Sequence, residues 1–86
     1  MIVLIEFVGT LRNLIGIDRY QINLEKNTNI SKLLTNLKGE FSEIKDLDEL
    51  NILILVNGKE INILQGFETE LKINDIVTLI PISHGG

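Results

Sequence analysis

Apolar positions along the chain follow two periods and so predict two kinds of element. Residues Ile2 to Val8 (IVLIEFV) are apolar except at Glu6, and their β-branched content predicts a strand. So continuous a run predicts burial on both faces, as in a central parallel pair. Arg19 to Leu24 (RYQINL) alternates instead, with Tyr20, Ile22 and Leu24 on one side, which predicts a half-buried strand. The Gly, Thr, Asn and Asp of Gly9 to Asp18 (GTLRNLIGID) predict a turn-rich connection between the two strands. Together they form a hairpin with a long loop.

The period then lengthens. After Glu25 to Asn29 (EKNTN), apolar residues recur at Ile30, Leu33, Leu34, Leu37 and Phe41, the stripe of an amphipathic helix. Thr28 or Asn29 is its predicted N-cap, and Gly39 weakens its last turn. Ser42 to Asn51 (SEIKDLDELN) is acidic and predicts a surface connection with a short helical turn around Leu47. Ile52 to Val56 (ILILV) is a strand, and Asn57–Gly58 predicts a tight type I′ hairpin into a short return strand, Lys59 to Ile61. Asn62 to Asp75 has no sustained period and reads as a crossing loop with one short turn. Ile76 to Ile82 (IVTLIPI) is the last strand; Pro81, which has no N–H, must end it or lie on its edge, and by ending the ladder would help release the tail from the sheet.

Strand, strand, helix, strand, short strand, strand is the order of an α+β domain, with one principal helix on one face of a single mixed sheet. Parallel pairing of the last strand with the first accounts for the apolar character of both, and gives the β-grasp topology. The expected organisation is one domain over 1–82 and a flexible tail over 83–86.

Composition narrows the function. The chain of 86 residues is 44% hydrophobic, mostly Ile, Leu and Val, enough for a dense core in one small domain. It has no Cys, so it offers neither a disulfide nor a thiol nucleophile, and sulfur or acyl chemistry would need a partner's thiol. A net charge of −4 without Lys/Arg clusters argues against direct nucleic-acid binding and against a basic membrane-surface helix. No apolar run is long enough to span a bilayer, and the N-terminus lacks a signal-peptide pattern, so a cytoplasmic location is expected.

The candidate chemistry lies in Gly85–Gly86. A carboxylate is a poor electrophile at neutral pH and must be activated before sulfur or nitrogen can replace its oxygen. A tail without Cβ atoms can thread a narrow channel in an activating partner and adopt backbone angles closed to other residues. His84 beside it reads as a solvated tail residue, and a lone His is not a metal site. Lys26, Lys32, Lys38, Lys45, Lys59 and Lys72 are ordinary surface lysines able to accept conjugation, and Asp46, Asp48 and Glu49 read as a solvated connection. Apolar residues left on the sheet, Ile61 or Leu64, are candidates for a docking patch on the face that the helix does not cover, with His84 as a further candidate for that partner surface.

Several segments carry a family likeness. LRNLIG after a strand ending in Phe, ILVNGKEI, LKINDIVTLIP and the terminal GG resemble, in order and spacing, the MoaD/ThiS ubiquitin-like sulfur carriers. The tail ISHGG is similar to the ubiquitin-related modifier and small archaeal modifier branch, whereas Pro81 is typical of the MoaD branch. The resemblance covers essentially the whole chain, most specifically its second half. It implies a protein that is not itself an enzyme and binds no cofactor. Its Gly86 carboxylate would be adenylated by a MoeB-type partner using ATP, with Gly85 completing the tail. Conversion to a thiocarboxylate would then draw on a rhodanese-type sulfur donor, or the acyl group would pass to lysines of target proteins. Downstream roles implied are tRNA thiolation, protein conjugation or molybdopterin synthesis with the large subunit of molybdopterin synthase. A non-covalent ubiquitin-like adaptor is the remaining alternative.

Overall fold

The computed structural model describes residues 1–45 and 51–82. Its elements are β1 (Ile2–Phe7), α1 (Thr10–Ile15), β2 (Arg19–Asn23), α2 (Ile30–Glu40), β3 (Ile52–Val56), β4 (Lys59–Glu60) and β5 (Ile76–Pro81), with 3-10 turns at Ser42–Ile44, Ile61–Ile63 and Gly66–Glu68. The strands form one five-stranded sheet in the order β2-β1-β5-β3-β4. β1 and β5 run parallel, with Leu4 beside Ile76 and Phe7 beside Leu79. The pairs β1–β2, β3–β5 and β3–β4 are antiparallel. This is the expected mixed sheet of a ubiquitin-like β-grasp domain, covered on one face by α2.

The helix forms where the sequence supplies a cap and a stripe. Asn29 is the N-cap, its Oδ1 accepting the Lys32 N–H at 2.9 Å, while Thr28 is buried and its hydroxyl donates to the Glu25 carbonyl at 2.6 Å. Ile30, Leu33, Leu34 and Leu37 are buried against the inner residues of the sheet, among them Val3, Ile5, Phe7, Val77 and Leu79. The helix stops at Glu40, one residue past Gly39. Phe41 turns out of it to meet Phe7 and Tyr20 edge-on, at centroid distances of 5.6 and 4.9 Å.

Two expectations are revised. Gly9 to Asp18 is not only a turn-rich connection, because Thr10–Ile15 is helical. Leu11 enters the core at 3% exposure, Gly9 (φ 61) bends the chain into the helix, and Gly16 (φ 92) ends it by donating its N–H to the Arg12 carbonyl at 2.8 Å. One and a half turns are too short for a helical period to stand out. Nor is β1 buried on both faces: Ile2 is 40% exposed and Leu4 and Glu6 are half-buried, because the second layer covers one side only. The crossing loop from Asn62 to Asp75 contains the turn Gly66–Glu68 and the last residues of Ile61–Ile63. The turn expected around Leu47 lies outside the described residues.

The hairpin after β3 also holds the start of β5. Asn57 (φ 51) and Gly58 (φ 84) both take positive φ, as a type I′ turn requires. The Asn57 amide then reaches across the sheet, donating to Asp75 Oδ1 at 2.8 Å and accepting the Ile76 N–H at 2.9 Å. Asp75 in turn accepts the Lys72 N–H at 2.7 Å through Oδ2. Two loops distant in sequence are thereby latched where β5 begins.

Candidate functional site

β5 lies in the middle of the sheet and leads directly to the residues in question. Alternation along β5 directs the N–H groups of Ile76, Thr78, Ile80 and Ile82 toward β3 and those of Val77 and Leu79 toward β1. Pro81 falls on the β1 side at a level where β1 has already ended, so its missing N–H breaks no ladder bond. Its ring instead faces Gly9, where an added Cβ would lie 3.6 Å from Pro81 Cγ. Contrary to the expectation that Pro81 frees the tail, the ladder continues one residue further, as the Ile82 N–H donates to the Asn51 carbonyl at 2.9 Å. The described chain is therefore tied to the sheet through Ile82. His84, Gly85 and Gly86 lie outside the described residues.

A cleft of about 240 Å³ opens beside Ile82 between Ile52, Ile54, Ile61 and Phe67. Ile61 belongs to the core at 4% exposure and is withdrawn as a docking residue, because the turn Ile61–Ile63 tucks its side chain under β3. Leu64 is 38% exposed on the loop between two 3-10 turns. Neither is a residue of the open sheet face.

That face is built from other residues. Register places Leu4 beside Ile76, Glu6 beside Thr78, Leu55 beside Thr78 and Leu53 beside Ile80. The result is an apolar surface of half-buried or exposed Leu4, Leu53, Leu55, Ile76 and Ile80, crossed by one polar row. In that row Thr78 Oγ1 donates to Glu6 Oε1 at 3.0 Å, and Arg19 Nε lies 3.6 Å from Glu6 Oε2. Glu6 thus carries a negative charge on an otherwise apolar face. A signal for this surface was present in the sequence: a strand with one solvated face alternates apolar with polar, whereas β1, β3 and β5 are apolar at nearly every position.

Among the described residues no cluster of three or more His, Cys, Asp or Glu has a metal-binding arrangement, and no helix is long and apolar enough to cross a membrane. A family model described as the ThiS family matches residues 5–86. No curated protein matches the chain. Small archaeal modifier protein 1 from Methanosarcina acetivorans superposes with a TM-score of 0.81 at 26% identity, over 99% of this chain and 96% of that one. Urm1 from Trypanosoma brucei gives 0.80 at 26% identity, over 99% and 95%. A chain in the complex of subunits 1 and 2 of molybdopterin-converting factor from Helicobacter pylori gives 0.67 at 23% identity, over the full length of both.

Proposed function

The chain belongs to the ThiS family, and on that premise we propose that it is a ubiquitin-like sulfur carrier and protein modifier whose reacting group is the Gly86 carboxylate. The observation that carries this reading is the extent of the family match, which runs through Gly85 to Gly86. The protein is a substrate and carrier rather than a catalyst, and it works in the cytoplasm. A MoeB-type partner binds ATP; a Gly86 carboxylate oxygen attacks the α-phosphorus and pyrophosphate leaves. The acyl-adenylate is then attacked at its carbonyl carbon by sulfur from a rhodanese-type donor, or by a partner's thiolate, with AMP as leaving group. The first route gives an acyl disulfide with the donor, from which a partner's thiol, attacking the donor sulfur and forming a disulfide with it, releases the thiocarboxylate; in the second the thioester passes its acyl group to a target lysine and the thiol leaves.

Docking on the partner is assigned to the open sheet face. Two of its apolar residues, Ile76 and Ile80, lie on β5, the strand that leads toward the C-terminus, and the Glu6–Arg19 pair offers fixed charge for orientation. The test is intact-protein mass spectrometry after incubation with an active adenylating partner, ATP and a sulfur donor. A mass gain equal to sulfur replacing oxygen, lost when Gly86 is deleted, is the expected result. Unmodified protein alongside a partner proven active on another carrier would refute the reading.

A second reading is the small subunit of molybdopterin synthase, favoured by the full-length likeness to a chain in a complex of subunits 1 and 2 of molybdopterin-converting factor. Stable co-purification with a large subunit would support it. A purely non-covalent adaptor would tolerate one residue appended after Gly86, whereas both carrier readings require that extension to abolish function.

A further inference from the structure

β2 is an edge strand whose outer side carries its own recognition pattern. Met1 and Leu24 exchange hydrogen bonds across β1–β2, and the Phe7 N–H donates to the Asp18 carbonyl at 2.9 Å. Alternation between these points turns the backbone groups of Tyr20 and Ile22 inward to β1 and those of Arg19, Gln21 and Asn23 outward. The edge carries none of the usual protections: it has no Pro, no bulge and no Lys, and its single charge, Arg19, stands at its first residue.

Beside the edge runs a groove of about 670 Å³, floored by Ile22 and Leu24 and walled by Ser31, Lys32, Thr35 and Glu40 of α2. The helix runs antiparallel to β2. It starts beyond Leu24, and its last residue Glu40 lies close enough to Tyr20 to act on its hydroxyl. Lys32 therefore stands at the Asn23 end of the groove and Glu40 at the Tyr20 end. A twofold rotation about Gln21 exchanges these ends.

We propose that the free edge of β2 pairs antiparallel with β2 of a second copy of this chain, Gln21 opposite Gln21, with Lys32 of each copy facing Glu40 of the other. This self-pairing sets Arg19 opposite Asn23 of the second copy and near its Glu25, so an unlike pair meets at each end of the seam. The two sheets join into one, with both helices on the same side and both open faces on the other. The contact is one strand and one helix flank, at the small end of specific interfaces, so the dimer is transient. It leaves β5 and the open face uncovered, and it does not depend on the chemistry proposed for Gly86.

The test is sedimentation and amide NMR of the full chain over a concentration series. Concentration-dependent dimerisation is expected, with shifts concentrated at Arg19, Gln21, Asn23 and the outer flank of α2. K32E should weaken the dimer about tenfold by placing two acids together at both symmetry-related contacts, and K32E/E40K should restore it. Gln21→Pro, which removes only an outward N–H, should abolish it while circular dichroism stays native. A monomer at all concentrations, shifts confined to the open face, or failure of the double charge swap in a folded variant would overturn the proposal. So would perturbation of these amides by an added extended peptide but never by a second copy.

Discussion

The two faces of the sheet use the same residue types to opposite ends. Toward α2, the strands β1, β3 and β5 present Val3, Ile5, Phe7, Ile52, Ile54, Val56, Val77 and Leu79, all between 0% and 7% exposed. Away from it the same strands present Leu4, Leu53, Leu55, Ile76 and Ile80, half-buried or exposed. Side-chain chemistry alone does not distinguish the two sets. What separates them is a second layer: α2 turns one set into stabilising core, and among the described residues no second layer covers the other. A β-grasp domain that needed only to fold would gain nothing from the second set.

The sharpest way to break this contrast is to cut equivalent side chains on each face. Leu37→Ala on the covered side should cost about 2–5 kcal/mol, a large part of the stability of a domain this small, measured by urea unfolding. Leu55→Ser on the open side should cost less than ~1 kcal/mol yet strongly reduce adenylation in a partner-driven ATP–pyrophosphate exchange assay. If the two substitutions destabilise equally, the open face is structural. An intermediate effect is expected where the faces are pinned together. Asn57→Gly keeps the positive φ but removes two hydrogen bonds to the start of β5, and should lower stability by about 1–2 kcal/mol without altering the unfolding m-value.

The smallest effect tests the covered rim. Partial burial, the charge of Glu40 and its hydrogen bond raise the Tyr20 pKa above the ordinary value of 10.0. The unfolded chain therefore loses this proton first, so stability is full below pH ~10 and falls as pH rises through the folded value. Tyr20→Phe should flatten that alkaline decline in a thermal-unfolding series.

The turn after β3 and the helix α2 were the most legible parts of the chain. The Asn57–Gly58 turn can adopt little else, and Ile30, Leu33, Leu34 and Leu37 spell one helical face. The helix after β1 was missed because six residues span too few turns to show a period, and its order comes from Leu11 reaching the core. Ile61 was misassigned for a related reason. A 3-10 turn that inverts a side chain leaves no trace in the local alternation, so whether an isolated Ile near a short strand points in or out depends on tertiary packing. The open face was readable in principle, from apolar residues in excess of what one core needs. Its members follow only from register, which fixes Leu4 beside Ile76 and Leu53 beside Ile80.

The parallel pairing of β1 with β5 also governs when the fold can exist at all. Leu4 and Ile76 are neighbours in the sheet but lie far apart along the chain. While a ribosome is still short of Ile76, β1 has a partner on one side only, and β3 has no companion but the two-residue β4. Contacts this distant in sequence form late and slowly. A truncated or stalled product therefore cannot assemble the apolar face from β1, β3 and β5 together. Completion of the sheet therefore waits on synthesis of its last strand: only a chain made through Pro81 brings β1, β3 and β5 into one apolar face.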